Sequence, residues 1–146
     1  MNGLDPKSFA AVEQELSLLL RRARGYLLTV ARDVHPDLDA SAYSTLLFIT
    51  TRPAPRAVDL ADYLGMNKGA VSRQIAQLER LGLVQRQPSR HDARAQLLAV
   101  TEQGRNRFTS ARQARSQRIQ AQLGEWEHDD ILQFAHLLSR FNDLLA

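Results

Sequence analysis

The sequence contains no cysteine, and that absence alone removes several classes of function. Disulfide scaffolds, cysteine-ligated zinc, thiol catalysis and cysteine-based redox sensing are all excluded. Methionine offers little redox chemistry, with only Met1 and Met66 present. No apolar run approaches the roughly 18–20 residues of a membrane span. The first twenty residues carry Asp5, Glu13 and Glu15 and show no signal-peptide pattern, so a cytoplasmic protein without a membrane partner is expected. There is no HExxH, no Ser/His/Asp set and no glycine-rich phosphate loop, so an enzyme is not expected. His128 and His136 are eight residues apart, too far for an i, i+4 metal pair, and His35 with Asp37 is only a thin start to a site. Neither a metal nor a cofactor is therefore expected. Glu125, Glu127, Asp129 and Asp130 read as favourable charge at the start of the last helix, and Trp126 as a core or interface anchor.

What the chain does contain is enough apolar material for a core: 146 residues, 44% of them hydrophobic. One domain spanning 1–146 is expected. The net charge of +3 hides an uneven distribution. Residues 1–66 sum to −1, residues 67–118 to +8 and residues 119–146 to −4. A basic centre between acidic ends points to a directed polyanion contact. The basic residues are 17 Arg and 2 Lys, and arginine's planar fork suits phosphate and guanine edges.

Apolar residues at three- and four-residue steps from Phe9 to Val34 predict a long amphipathic helix over 8–34, ended by His35-Pro36. Asp39 is placed to cap a second helix through about Thr51. The rigid loop Arg52-Pro53-Ala54-Pro55 leads to a short helix over 57–64, stopped by Gly65. Asn67 caps the next helix, 68–81, which Gly82 terminates. Residues 83–86 and 95–100 read as a hairpin around a polar turn at 88–94. Two more helices follow, to about 123 and over 127–145, the last with Ile131, Phe134, Leu137, Leu138, Phe141, Leu144 and Leu145 on a broad stripe. The fold class expected is mainly α with a small β-hairpin wing.

The helices over 57–64 and 68–81, joined by Leu64-Gly65-Met66-Asn67, form a helix–turn–helix. At 100° per residue, Ile75 and Leu78 fall within about 40° of Val71 and define a buried side. Gly69, Arg73, Ala76, Gln77 and Arg80 collect on the opposite side. Small Gly69 and Ala76 let the helix sit deep in a groove, while Arg73 and Gln77 are long enough to reach base edges. Lys68 and Ser72 stand near the helix N-terminus, which itself favours phosphate. An ordinary amphipathic helix has the same two faces; the short helix before it, the glycine turn and the hairpin after it set this one apart. Arg86, Arg90, His91 and Arg94 crowd the hairpin loop, with Asp92 opposing them. Such a basic wing suits the negative potential of a minor groove. Asp92 and Arg94, two residues apart, are expected to pair and brace the loop.

These residues together resemble the MarR family of winged helix–turn–helix transcription regulators. The resemblance runs through Val58-Asp59-Leu60-Ala61, Leu64-Gly65-Met66, Val71-Ser72-Arg73, Leu78-Glu79, Gly82-Leu83-Val84, Arg86, Asp92-Ala93-Arg94 and Val100-Thr101-Glu102-Gln103-Gly104, with Val100 in place of the usual leucine. It implies a DNA-binding lobe over 39–104 and a helical dimerisation region from 8–34 and 105–146. It implies a homodimer, a recognition helix at 68–81 and a wing at 85–97, with DNA contacts from Ser72 and Arg73 and with Arg94 serving the wing. Lys68, Gly69, Gln77, Arg80 and Arg90 complete the expected DNA-binding set. It further implies a repressor released from DNA by a small aromatic or phenolic ligand between dimer region and lobe. Tyr26, His35, Tyr43, Phe48 and Arg52 stand on helices and turns that border such a pocket. The long first helix and the terminal stripe offer more apolar surface than a small lobe covers, which also suggests a partner copy. A two-fold dimer would present its recognition helices roughly 34–36 Å apart to an inverted repeat in double-stranded DNA. The alternative is a protein-interaction or architectural winged helix without an effector. An interaction module would carry an apolar or acidic reading face, and here Arg73 and Arg80 occupy it.

Overall fold

Short polar side chains start the helices. In the computed structural model, which describes residues 5–92 and 94–144, Asp5 accepts from the amide of Lys7 and Pro6 opens α1, Pro6–Val34. Asp39 accepts from the Ala42 amide at 2.7 Å and opens α2, Ala40–Thr51. Arg56 precedes α3, Ala57–Leu64, where the Asp59 carboxylate turns back to accept from the Arg56 amide at 2.9 Å. Asn67 accepts from the Ala70 amide and opens α4, Lys68–Arg80. Each cap satisfies a helix-end amide that has no partner within its own helix. Gly65 ends α3 with φ of 61°, a left-handed conformation that a side chain would oppose.

The strands β1, Val84–Pro88, and β2, Gln96–Val100, pair antiparallel with Val84 opposite Val100 and Pro88 opposite Gln96. The first strand thus runs two residues beyond the expected 83–86 and the turn is shorter at its start. An isolated hairpin is marginal in water. Here the Leu98 amide also donates to the Pro55 carbonyl at 2.8 Å, tying the wing to the loop before α3. α5, Glu102–Gln122, begins where Thr101 donates to the Gly82 carbonyl and accepts from the Gly104 amide. α6 covers His128–Asp143. Leu145 of the terminal stripe and Ala93 of the wing motif lie outside the described residues.

The chain divides into two compact units, Met1–Ala111 and Arg112–Ala146, with α5 contributing to both. The first unit holds the core. Val30, Ala31 and Val34 of α1 join Leu38, Ala42, Tyr43, Leu46, Phe48 and Ile49, Leu60, the α4 face of Val71, Ile75 and Leu78, and Leu83, Val84, Leu98 and Ala111. Most of α1 lies outside this core: Phe9, Val12, Leu19 and Leu20 are more than half exposed. In the second unit no residue of α6 is buried; Leu132, Phe134, Leu137, Leu138 and Leu144 are exposed, with the Trp126 ring edge-on to Phe134 at 5.8 Å. No helix among the described residues is long and apolar enough to cross a membrane.

Candidate nucleic-acid interface

The helix–turn–helix presents one side of α4 outward because the other is anchored in the core. Val71, Ile75 and Leu78 are buried, while Lys68, Gly69, Ser72, Arg73, Ala76 and Arg80 are exposed. Arg73 folds back along its helix, so that a Cβ on Gly69 would stand 3.9 Å from its Nη1. Lys68, Arg73, Arg80, Arg90 and Arg94 make no ion pair among the described residues. Their charge is therefore not neutralised locally, as a phosphate-facing surface requires.

Gln77 differs from its neighbours. It is half-buried, and its Nε2 donates at 3.1 Å to the carbonyl of Asp37, in the turn between α1 and α2. A larger surprise is Gln74, which angular spacing alone would have put on the buried side. Its amide donates to Ser41 Oγ and accepts from Thr45 Oγ1, both on α2, and Thr45 is fully buried. Buried amides need partners at both ends, and this one has them.

The wing is built differently from the expected Asp92–Arg94 ion pair. The Asp92 carboxylate accepts from the backbone amide of Arg94 at 2.9 Å, and no ion pair joins the two side chains among the described residues. Ser89 completes the turn: its hydroxyl accepts from the amides of His91 and Asp92, and its own amide donates to the Ala95 carbonyl. Arg90 and Arg94 are exposed around this hydrogen-bonded turn. Arg86 stands in β1 rather than in the loop, with its Nε donating to Glu79 Oε1 of α4 at 3.2 Å. Sequence spacing gives no hint of this pair, because the two residues meet only once α4 and β1 have packed.

Of the five residues proposed to border a ligand pocket, two come together. Phe48 and Arg52 line a cleft of about 340 Å³ with Pro53, Pro55, Asp59 and Tyr63. The Arg52 guanidinium lies 4.8 Å from the centre of the Phe48 ring and 4.9 Å from that of Tyr63, a cation–π arrangement. Tyr43 is buried and stacks on Phe108 at 6.3 Å, Tyr26 is partly exposed on α1, and His35 ends α1, its Nδ1 accepting from the Asp37 amide. At the cleft's edge, hydrogen bonds from Arg56 to Asp59 hold the Asp59 carboxyl below its ordinary range and raise the Arg56 guanidinium. No group of three or more His, Cys, Asp or Glu that could hold a metal occurs among the described residues.

Residues 37–95 match the sequence model of the MarR family. The chain is 29% identical over 131 residues to the uncharacterised HTH-type transcriptional regulator YxaD of Bacillus subtilis strain 168, covering 90% of each. Among solved structures it resembles FabT of Streptococcus pneumoniae in complex with DNA, with a TM-score of 0.79 at 17% identity over 94% of this chain and 96% of that one. It also resembles wild-type MarR from E. coli, with a TM-score of 0.67 at 22% identity over 88% and 95%. The structural likenesses establish the mainly helical winged helix–turn–helix fold.

Proposed function

We propose that this chain, whose residues 37–95 match the model of the MarR family of DNA-binding transcription regulators, acts as a dimeric, sequence-specific repressor. In this reading α4 enters the major groove of an inverted-repeat operator. Arg73 reads a base edge, Lys68, Ser72 and Arg80 hold phosphates, Gly69 allows close approach, and Arg90 and Arg94 reach the adjacent minor groove. The observation that carries it is the outward side of α4, where exposed cations that make no ion pair among the described residues surround small residues while the opposite side packs in the core. The FabT structure, solved with DNA, supports the same use of the fold. Gln77 keeps a lesser part in reading, since its amide nitrogen already serves Asp37.

The exposed apolar residues of α1 and α6 support dimerisation through the helices of 8–34 and 105–146. Release by a small aromatic or phenolic ligand is supported by the Phe48–Arg52–Tyr63 cleft, whose aromatic walls and guanidinium suit a planar molecule with an acidic group. The test is selection of duplexes from a randomised pool by the purified protein, followed by affinity measurement against a scrambled duplex of equal length. A symmetric motif bound far more tightly than the scramble is expected; equal affinity for both would remove sequence-specific regulation.

A further inference from the structure

The outward face of α4 can read a base only if the helix is held at one rotation about its axis. The packed side chains of Val71, Ile75 and Leu78 set which side of α4 faces the core, and directional contacts can fix its rotation more finely than apolar burial does. Hydrogen bonds are directional, and a buried polar group without its partner is disfavoured. α4 carries two bonded side chains three residues apart, a buried Gln74 and a more exposed Gln77. Gln74, about nine-tenths buried, is held at both ends of its amide by Ser41 and Thr45 of α2. Gln77, one turn further on, donates to the Asp37 carbonyl just before α2. Two directional attachments along one helix fix rotation and axial position together.

We propose that Gln74 is a positioning residue for DNA discrimination, its buried amide between Ser41 and Thr45 setting the rotation of α4 and so the direction in which Ser72 and Arg73 project. The inference rests on the DNA-binding reading and adds residues that touch no DNA in it. Even a small turn of α4 would stretch the directional Gln74 bonds to Ser41 and Thr45. A helix without them retains its charge, and hence its phosphate attraction, but loses its preference among bases.

Thr45→Val tests this, since it removes the hydroxyl while keeping the shape and lies on α2, away from the reading face. Thr45→Ser keeps the hydroxyl, and Ser41→Ala removes the other partner independently. Each variant is compared with wild type using the duplex the wild type selects from a randomised pool and a scramble of it, at a temperature below every measured unfolding midpoint. The expected result is a loss of about tenfold in the preference of Thr45→Val for the selected duplex, unchanged affinity for the scramble, restoration in Thr45→Ser, and a loss in Ser41→Ala. Preserved preference in both Thr45→Val and Ser41→Ala, whatever their unfolding midpoints, would overturn the proposal. So would an equal loss of affinity for both duplexes, which marks a purely structural role. A wild type with no preference would instead sink the DNA-reading assignment on which the proposal stands, and is recognisable because it is seen before any variant is made.

Discussion

Arg73 and Arg94 are both exposed arginines without an ion pair among the described residues, yet they belong to different surfaces and should fail differently. Arg73→Ala is expected to cost about 1–3 kcal/mol on the selected duplex and to relax preference at one position of each half-site. Competition with singly substituted duplexes measures this; an unchanged preference profile would take Arg73 off the reading face. Arg94→Ala is expected to weaken binding to all sequences and to lower the salt dependence by about one phosphate contact per protomer. A titration across salt concentrations with an unaltered slope would exclude the wing arginine from the interface. At this scale the sequence was a good guide to exposed residues and a poor one to bonded ones. Helical spacing separates Arg73 from Val71. It cannot show that Gln77 meets a carbonyl 40 residues earlier, or that Asp92 serves a backbone amide rather than a guanidinium.

The elements follow from local chemistry where that chemistry is short-range. Asp39 and Asn67 cap as their side chains and positions lead one to expect, and Gly65 takes the left-handed conformation its place after a helix requires. Gly104 is governed by something longer-range: a Cβ there would fall 2.2 Å from the Leu83 carbonyl oxygen, since α5 starts directly against the entry to β1. Gly104→Ala is therefore expected to destabilise the first unit by about 1–3 kcal/mol, read from denaturant unfolding. An unchanged midpoint would mean that this close approach is not maintained in solution. The start of α3 gives a pH prediction. The Asp59 carboxyl, held low first by its hydrogen bond with the Arg56 side chain, has a folded value below its ordinary 3.8. Its contribution is thus present above that pH and declines as pH falls through the lower folded value. Asp59→Asn should narrow its stability deficit relative to wild type below about pH 4; a deficit constant from pH 7 to pH 3 would contradict the assignment. The hairpin's longer first strand was harder to read in advance, because its ends are set by pairing across the ladder and by the Pro55–Leu98 hydrogen bond, neither of which leaves a local pattern.

At the scale of the whole molecule, the exposed surfaces decide what the proposed partners would meet. In the first unit these are the cationic outer side of α4 with the wing and the apolar length of α1, where Leu20 is 62% exposed; in the second unit α6 carries its own apolar face, where Leu137 is 49% exposed. Burial of the apolar faces of α1 and of α6 against another copy is the expected origin of the proposed dimer. Leu20→Glu combined with Leu137→Glu should shift the protein toward monomer in light scattering at micromolar concentration and weaken operator binding steeply. A dimer that survives both changes would move the interface elsewhere. The apolar periodicity of α1 and α6 was legible in the sequence, and the structure leaves both faces exposed. The account turns, however, on sequence-specific DNA recognition. The most direct measurement is a fluorescence-anisotropy titration with the DNA upstream of the protein's own gene, at two salt concentrations, against a scrambled duplex of equal length. Specific affinity at least 10³-fold above the scramble, with both weakening as salt rises, is the predicted result. Equal and steeply salt-dependent binding to both duplexes would contradict it and leave only a phosphate-holding surface.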